Sequence, residues 1–237
     1  MATTINKQRT LNHLLAAGQA GQPPAESLPV LEQFIFALCR ENATAAQARE
    51  AFESLKKRFF DWNEVRVSTI RELEEAMAGL PDAESRAQRL VSFLQEVFEE
   101  TFSFDLEGLQ KRGLKQAAKK LTSYGAANDY VGAWVVQRSL GGHAIPIDEP
   151  TLRCSRRLGL VEQGTEDPDA ARATLEHAVP KAKGAPFTDA VSHVAEHFCW
   201  QDDPNCPQCP LRGDCPTALE VCGEQVAATR TARAKPR

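Results

Sequence analysis

The sequence has no run of 18 apolar residues, and its opening stretch, MATTINKQRTLNHLLAAG, offers neither a signal-peptide core nor a cleavage site. The first absence leaves no membrane span and the second argues against export, so a cytoplasmic protein is expected. Positive charge is not in excess, because the formal net charge is −4 and the pI is near 5.8. That balance excludes a protein that coats nucleic acid without specificity, while leaving room for a local basic face. Strand-like alternation closed by hairpin turns is also missing, which removes sheet-based folds. The seven cysteines, at 39, 154, 199, 206, 209, 215 and 222, make an odd number with four of them in 17 residues. A secreted disulfide framework does not look like that, whereas one thiolate site in a reducing compartment does.

The apolar period that is present is helical. Leu31, Phe34, Ile35 and Leu38 fall at i, i+3, i+4, i+7; Leu90, Phe93 or Leu94, Val97 and Phe98 repeat the pattern, and so do Leu114, Ala117, Ala118 and Leu121. An all-α protein is expected. Residues 18–27, GQAGQPPAES, read as a linker after a short N-terminal segment, and the basic tail after Ala228 reads as disordered. The expected organisation is therefore a segment and linker over 1–27, a helical domain over 28–220, and a tail over 221–237.

Charge is unevenly spread. From Lys111 to Arg157 nine Lys/Arg stand against three Asp/Glu, and from Leu160 to Cys206 three stand against nine. Lys111, Lys115 and Lys119 recur at i, i+4, i+8, as one stripe opposite the apolar face of their helix. Such a stripe suits phosphate contacts, because each contact releases condensed counterions. It reads equally as a solvated helix face.

The cysteine segment is more specific. Cys199-x6-Cys206-x2-Cys209-x5-Cys215 brings four thiolates within reach of one inorganic centre, either zinc or an iron–sulfur cluster. Pro207, Pro210 and Pro216 keep the loop from becoming helix. Spacing alone does not choose iron over zinc. Cys39, Cys154 and Cys222 have no evident partner and read as small buried apolar residues. His193 and His197, at i, i+4, read as packing beside the cysteines.

The C-x6-C-x2-C-x5-C spacing, together with IPIDEPTLRCSRRLGLV (145–161), resembles the endonuclease III family of helix-hairpin-helix DNA glycosylases over residues 28–220. The resemblance implies a two-lobed all-α fold. One lobe is built from the middle helices, and the other combines residues near the N-terminus with the cysteine region. It also implies a [4Fe–4S] cluster on Cys199, Cys206, Cys209 and Cys215, a monomer that binds double-stranded DNA, and Asp148 in the catalytic-aspartate position. Tyr130 takes the place of the family's lysine, 18 residues earlier. A phenol cannot form an imine, so a glycosylase without a lyase step is expected. Where the family writes a Leu-Pro-Gly-x-Gly hairpin, this chain has Tyr124-Gly125-Ala126-Ala127-Asn128. Gly125 and Asn128 are expected at DNA phosphate, with Asn128 tolerating the positive φ that glycine serves elsewhere. Glu41 falls where the family places a Gln that enters the gap left by a flipped base. The loop Trp200–Asn205 carries Asp202 and Asp203 and would repel phosphate.

Other readings of the same residues stand beside these. Asp148 suits a cap on a helix starting near Pro150, and Tyr130 suits half-buried packing. The alternative to an enzyme is a non-catalytic iron–sulfur relative that acts as a DNA- or protein-binding module.

Overall fold

The computed structural model describes residues 6–19 and 28–223, and no strand occurs among them. In chain order the helices are α1 (Lys7–Gln19), α2 (Val30–Arg40), α3 (Ala45–Arg58), α4 (Trp62–Val67), α5 (Ile70–Ala76), α6 (Ala83–Thr101), α7 (Leu114–Leu121), α8 (Asp129–Arg138), α9 (Glu149–Arg157), α10 (Pro168–Ala178) and α11 (Gly184–His197). Residues 216–223 are also helical. Capping side chains set many of the starts. Thr44 and Thr69 form capping boxes with Gln47 and Glu72, Asp61 accepts from the Glu64 amide, and Asp167 caps a helix that opens on Pro168.

The chain divides into two compact units, Ala25–Asp148 and Met1–Pro24 with Glu149–Arg237. In the first, the apolar stripes expected for α2 and α6 are the core: Leu31, Phe34, Ile35, Leu38, Leu90, Phe93, Leu94 and Val97 are buried. The Phe34 and Phe93 rings stack with centroids 3.7 Å apart, and Tyr124 meets Phe93 edge-on at 5.3 Å. Such ring pairs contribute about 0.5–1.5 kcal/mol each beyond their burial.

The third expected stripe differs. In α7 only Ala117 and Leu121 are buried, while Leu114 is exposed. Lys111 is not on that helix at all. It ends a 3-10 turn, Glu107–Lys111, and Gly113 holds the N-cap position of α7 at φ −59°, ψ 140°. The extended backbone at Gly113 interrupts the periodicity, so Lys115 and Lys119 share a helix and Lys111 does not.

In the second unit α1 and α9 pack on α11. Gly18 of α1 lies so close to α11 that a Cβ added there would meet the Ala190 Cβ at 2.3 Å. Gly18 and Gln19 therefore belong to a packed helix rather than to a linker; residues 20–27 and the tail from 224 lie outside the described residues. Gly159 ends α9 in the left-handed region, φ 71°, where a side chain would be strained. Leu158, Phe187, Val191 and Val194 are buried around these helices. No helix among the described residues is long and apolar enough to cross a membrane.

Candidate functional site

The loop between α8 and α9 delivers Asp148. Gly142 donates its amide to Val136 O at 2.9 Å and the Gln137 side chain donates to Ala144 O at 2.8 Å, which folds the segment back on α8. The Asp148 carboxylate accepts the Asn42 backbone N–H at 3.2 Å. Tyr130, on the first turn of α8, is buried. Burial first, and the Asp148 carboxylate second, push its phenol well above the ordinary value. Tyr130 is therefore a neutral O–H, unsuited to act as a phenolate base. It stacks on Trp134, centroids 6.0 Å apart, and the Trp134 indole N–H donates to Gln33 at 2.8 Å. The two residues expected at a reacting centre are thus within electrostatic reach of each other.

Glu41 comes to the same region but is already engaged. Its carboxylate accepts from Arg89 at 2.8 Å and from the Asn128 amide group at 2.6 Å. Asn128 caps α8 by accepting the Val131 amide at 3.0 Å. Its φ is −112°, so the positive φ expected of it is not used. An Asn directly before a helix is itself the signal of a cap, and capping requires an extended backbone at that residue. Gly125 donates its amide to the Glu96 carboxylate, with oxygens at 3.2 and 3.1 Å. Next to it the Tyr124 hydroxyl donates to Glu100 at 3.4 Å, and Lys120 also pairs with Glu100. Lys111, Lys115 and Lys119 are solvent-exposed.

The four cysteines of the motif converge in the other unit. Cys199, Cys206, Cys209 and Cys215 line one small cavity of about 20 Å³, in part open to solvent, together with Leu158 and Phe198. Arginines of α9 hold the loop around it. Arg153 donates to Cys199 O at 3.1 Å, and Arg157 reaches Gln201 O at 2.7 Å and Cys199 Sγ at 3.6 Å. From α1, Arg9 pairs with Asp214 at 2.9 Å, and His13 meets the same carboxylate.

Cys154, read from the sequence as an inert apolar residue, lines the same cavity. Its thiol, with help from the Arg157 guanidinium and against the opposing effect of burial, brings the Cys199 thiol down to about 6. Burial pushes Cys215 up to about 11. Cys39 fits the inert reading, since complete burial pushes its thiol up to about 12. All seven cysteines are free thiols.

Among the described residues no three His, Cys, Asp or Glu side chains stand close enough to share a single metal ion. A zinc ion, with Zn–S near 2.3 Å, would draw four sulfurs to within about 3.8 Å of one another. A multi-iron cluster gives each thiolate its own iron and spreads the sulfurs around a larger body. The four thiols line one cavity, a donor set that suits an inorganic centre.

No protein-family model matches the chain. In sequence it is similar to an endonuclease III homolog of Encephalitozoon cuniculi, 29% identical over 114 residues that make up 48% of this chain and 47% of that one. The chain thus aligns with about half the length of this curated relative. In structure it is similar to a trapped endonuclease III–DNA covalent intermediate, with a TM-score of 0.72 at 16% identity over 92% of this chain and 100% of that one. A thermostable thymine-DNA glycosylase gives 0.67 at 14% identity over 90% and 97%. A 3-methyladenine DNA glycosylase of H. pylori gives 0.63 at 13% identity over 81% and 98%. The chain has the all-α fold of these DNA glycosylases, and over 114 residues its sequence is similar to an endonuclease III homolog.

Proposed function

We propose that this protein is a base-excision DNA N-glycosylase without a lyase step, acting on a damaged or mismatched base in double-stranded DNA. The observation that carries this reading is the Asp148 carboxylate, held by the Asn42 amide at 3.2 Å close to a buried, neutral Tyr130. As a flipped base leaves, positive charge develops on the sugar, and a fixed carboxylate stabilises it. Tyr130 shapes the pocket and offers an O–H; it has no amine with which to trap the sugar. Lys111, Lys115 and Lys119 contact the phosphate backbone. Gly125 joins them only by exchanging the Glu96 carboxylate for phosphate, and Asn128 acts through its cap on α8.

Cys199, Cys206, Cys209 and Cys215 are the ligands of a [4Fe–4S] cluster, for which their shared cavity is the support. With four protein thiolates the cluster has no open ligand position, and its chemistry here is to cross-link the segment 199–215. Thiolate ligation without a disulfide among the seven cysteines suits the reducing cytoplasm.

A second reading, a non-catalytic relative, is favoured by one observation: the Gly125 amide is already taken by Glu96. The two separate in one experiment. Cluster-loaded protein is incubated with duplexes carrying mismatched, oxidised or alkylated bases, and abasic sites are then cleaved with alkali. The enzyme reading predicts base release that disappears in Asp148→Asn. It also predicts that Lys115→Ala and Lys119→Ala each lower the salt dependence of duplex binding by about 0.9 in log–log slope. No release across the panel, with binding insensitive to salt, leaves the second reading.

A further inference from the structure

The turn that joins α2 to α3 is unusual in its backbone. Asn42 adopts φ 52°, a left-handed conformation shared among non-glycine residues only by Asp82 and Phe102 within the described residues. Such a conformation persists where surrounding groups over-determine it. Here they do. The buried Arg86 donates to Leu38 O and Glu41 O, and its Nε donates to Pro81 O at 2.7 Å. The buried Arg40 donates to Ala43 O. Two guanidiniums thus hold the carbonyls on both sides of Asn42.

A turn held this way reaches outward through both Glu41 and Asn42. The Asn42 amide donates to Asp148 at 3.2 Å. The Glu41 carboxylate takes Asn128 at 2.6 Å and Arg89 at 2.8 Å, and Arg89 itself donates to Ala126 O at 3.0 and 3.2 Å. Ala126 and Asn128 belong to the connection between α7 and α8. Successive residues therefore grip the carboxylate assigned to the chemistry and the hairpin assigned to DNA.

We propose that Glu41–Asn42 is a positioning turn, in which the left-handed Asn42 aims its amide at Asp148 while Glu41 ties the α7–α8 hairpin to the same point. Glu41 is accordingly a hairpin anchor rather than a side chain that enters DNA. The proposal rests on the glycosylase reading for the role of Asp148, but the coupling itself is measurable without activity.

On the cluster-loaded full chain, single-turnover base release and duplex affinity are measured separately. Asn42→Gly keeps both the amide and the left-handed backbone, and stays within about twofold of wild type in both quantities. Asn42→Val, β-branched and disfavoured at positive φ, slows release about tenfold while duplex affinity moves less than about threefold. Asn42→Ala serves where the valine variant does not fold, with the same direction. Glu41→Ala weakens duplex binding about three- to tenfold and changes release at saturating DNA less.

If Val or Ala at 42 releases base at the wild-type rate, the positioning role is wrong. If the wild type releases no base at all, the glycosylase reading falls, and hydrogen exchange then decides the coupling. Asp148→Ala should speed exchange of the Asn42 amide about tenfold and leave the Leu90 and Phe93 amides unchanged. Unchanged exchange at Asn42 overturns the proposal.

Discussion

In the unit Ala25–Asp148, Phe34 and Phe93 lie ring on ring at 3.7 Å, and Tyr124 closes the cluster edge-on. In the unit that contains the cysteines, residues 199–215 contain no α-helix and border a small cavity lined by cysteine sulfurs together with Leu158, Val194 and Phe198. The first region gains its stability as any globular core does, by removing apolar surface from water at about 25 cal/mol per Å². The segment 199–215 buries one large aliphatic side chain of its own, Leu211, and prolines at 204, 207 and 210 keep it from an α-helical ladder. Arginine-to-carbonyl bonds from α9 hold it, and on the proposed reading so does what the thiolates bind. On that reading burial and ligation are separable supports, so they should fail separately.

The largest effect that would break this contrast is loss of a ligand. Cys209→Ser should cost the protein its iron and its visible absorption and leave residues 199–223 open to proteolysis, while helical circular dichroism from 30–138 survives. Uniform unfolding of both units would show that the division is false. Next in size, Phe93→Ala should destabilise the first unit by about 3–5 kcal/mol in urea without changing iron content, because both its transfer energy and its stacking partner are lost. Smaller again, Gly18→Ala forces α1 away from Ala190, where a Cβ would meet at 2.3 Å, at a cost of about 1–3 kcal/mol in the second unit alone.

The smallest effect is at the start of α5 and depends on pH. The Thr69 hydroxyl and backbone amide donate to Glu72 at 2.7 and 2.9 Å and hold its carboxyl below the usual carboxylate value. A depressed carboxyl contributes stability that is complete above its unfolded pKa and is lost as pH falls through the folded one. Thr69→Ala should therefore lower the melting temperature slightly at pH 7, and the difference from wild type should shrink in acid. A gap that widens in acid would mean that the cap does not act through Glu72.

The same contrast explains what the sequence revealed. Helices α2 and α6 were legible because burial imposes a 3.6-residue period, and the convergence of the four thiols was legible because their close spacing in the chain keeps them near one another. Tyr130 and Asp148 were legible as a pair only through the family resemblance, and the structure brings them within electrostatic reach. Cys154 was not legible, since its sulfur reaches Cys199 through the packing of α9 and leaves no spacing of its own. Arg86 was equally hidden, because its partners are backbone carbonyls of distant turns, which carry no sequence signal. Two signals were present and outweighed. Gly113 interrupts the lysine stripe, and Asn128 stands directly before a helix, where a cap was the plainer reading than a left-handed turn.

On the proposed reading four thiolates share one multi-iron centre that orders the segment 199–215. Protein purified without oxygen should be brown and contain about four irons and four acid-labile sulfides per chain. One zinc per chain, or a colourless chain that folds normally and resists chelators, would contradict the account.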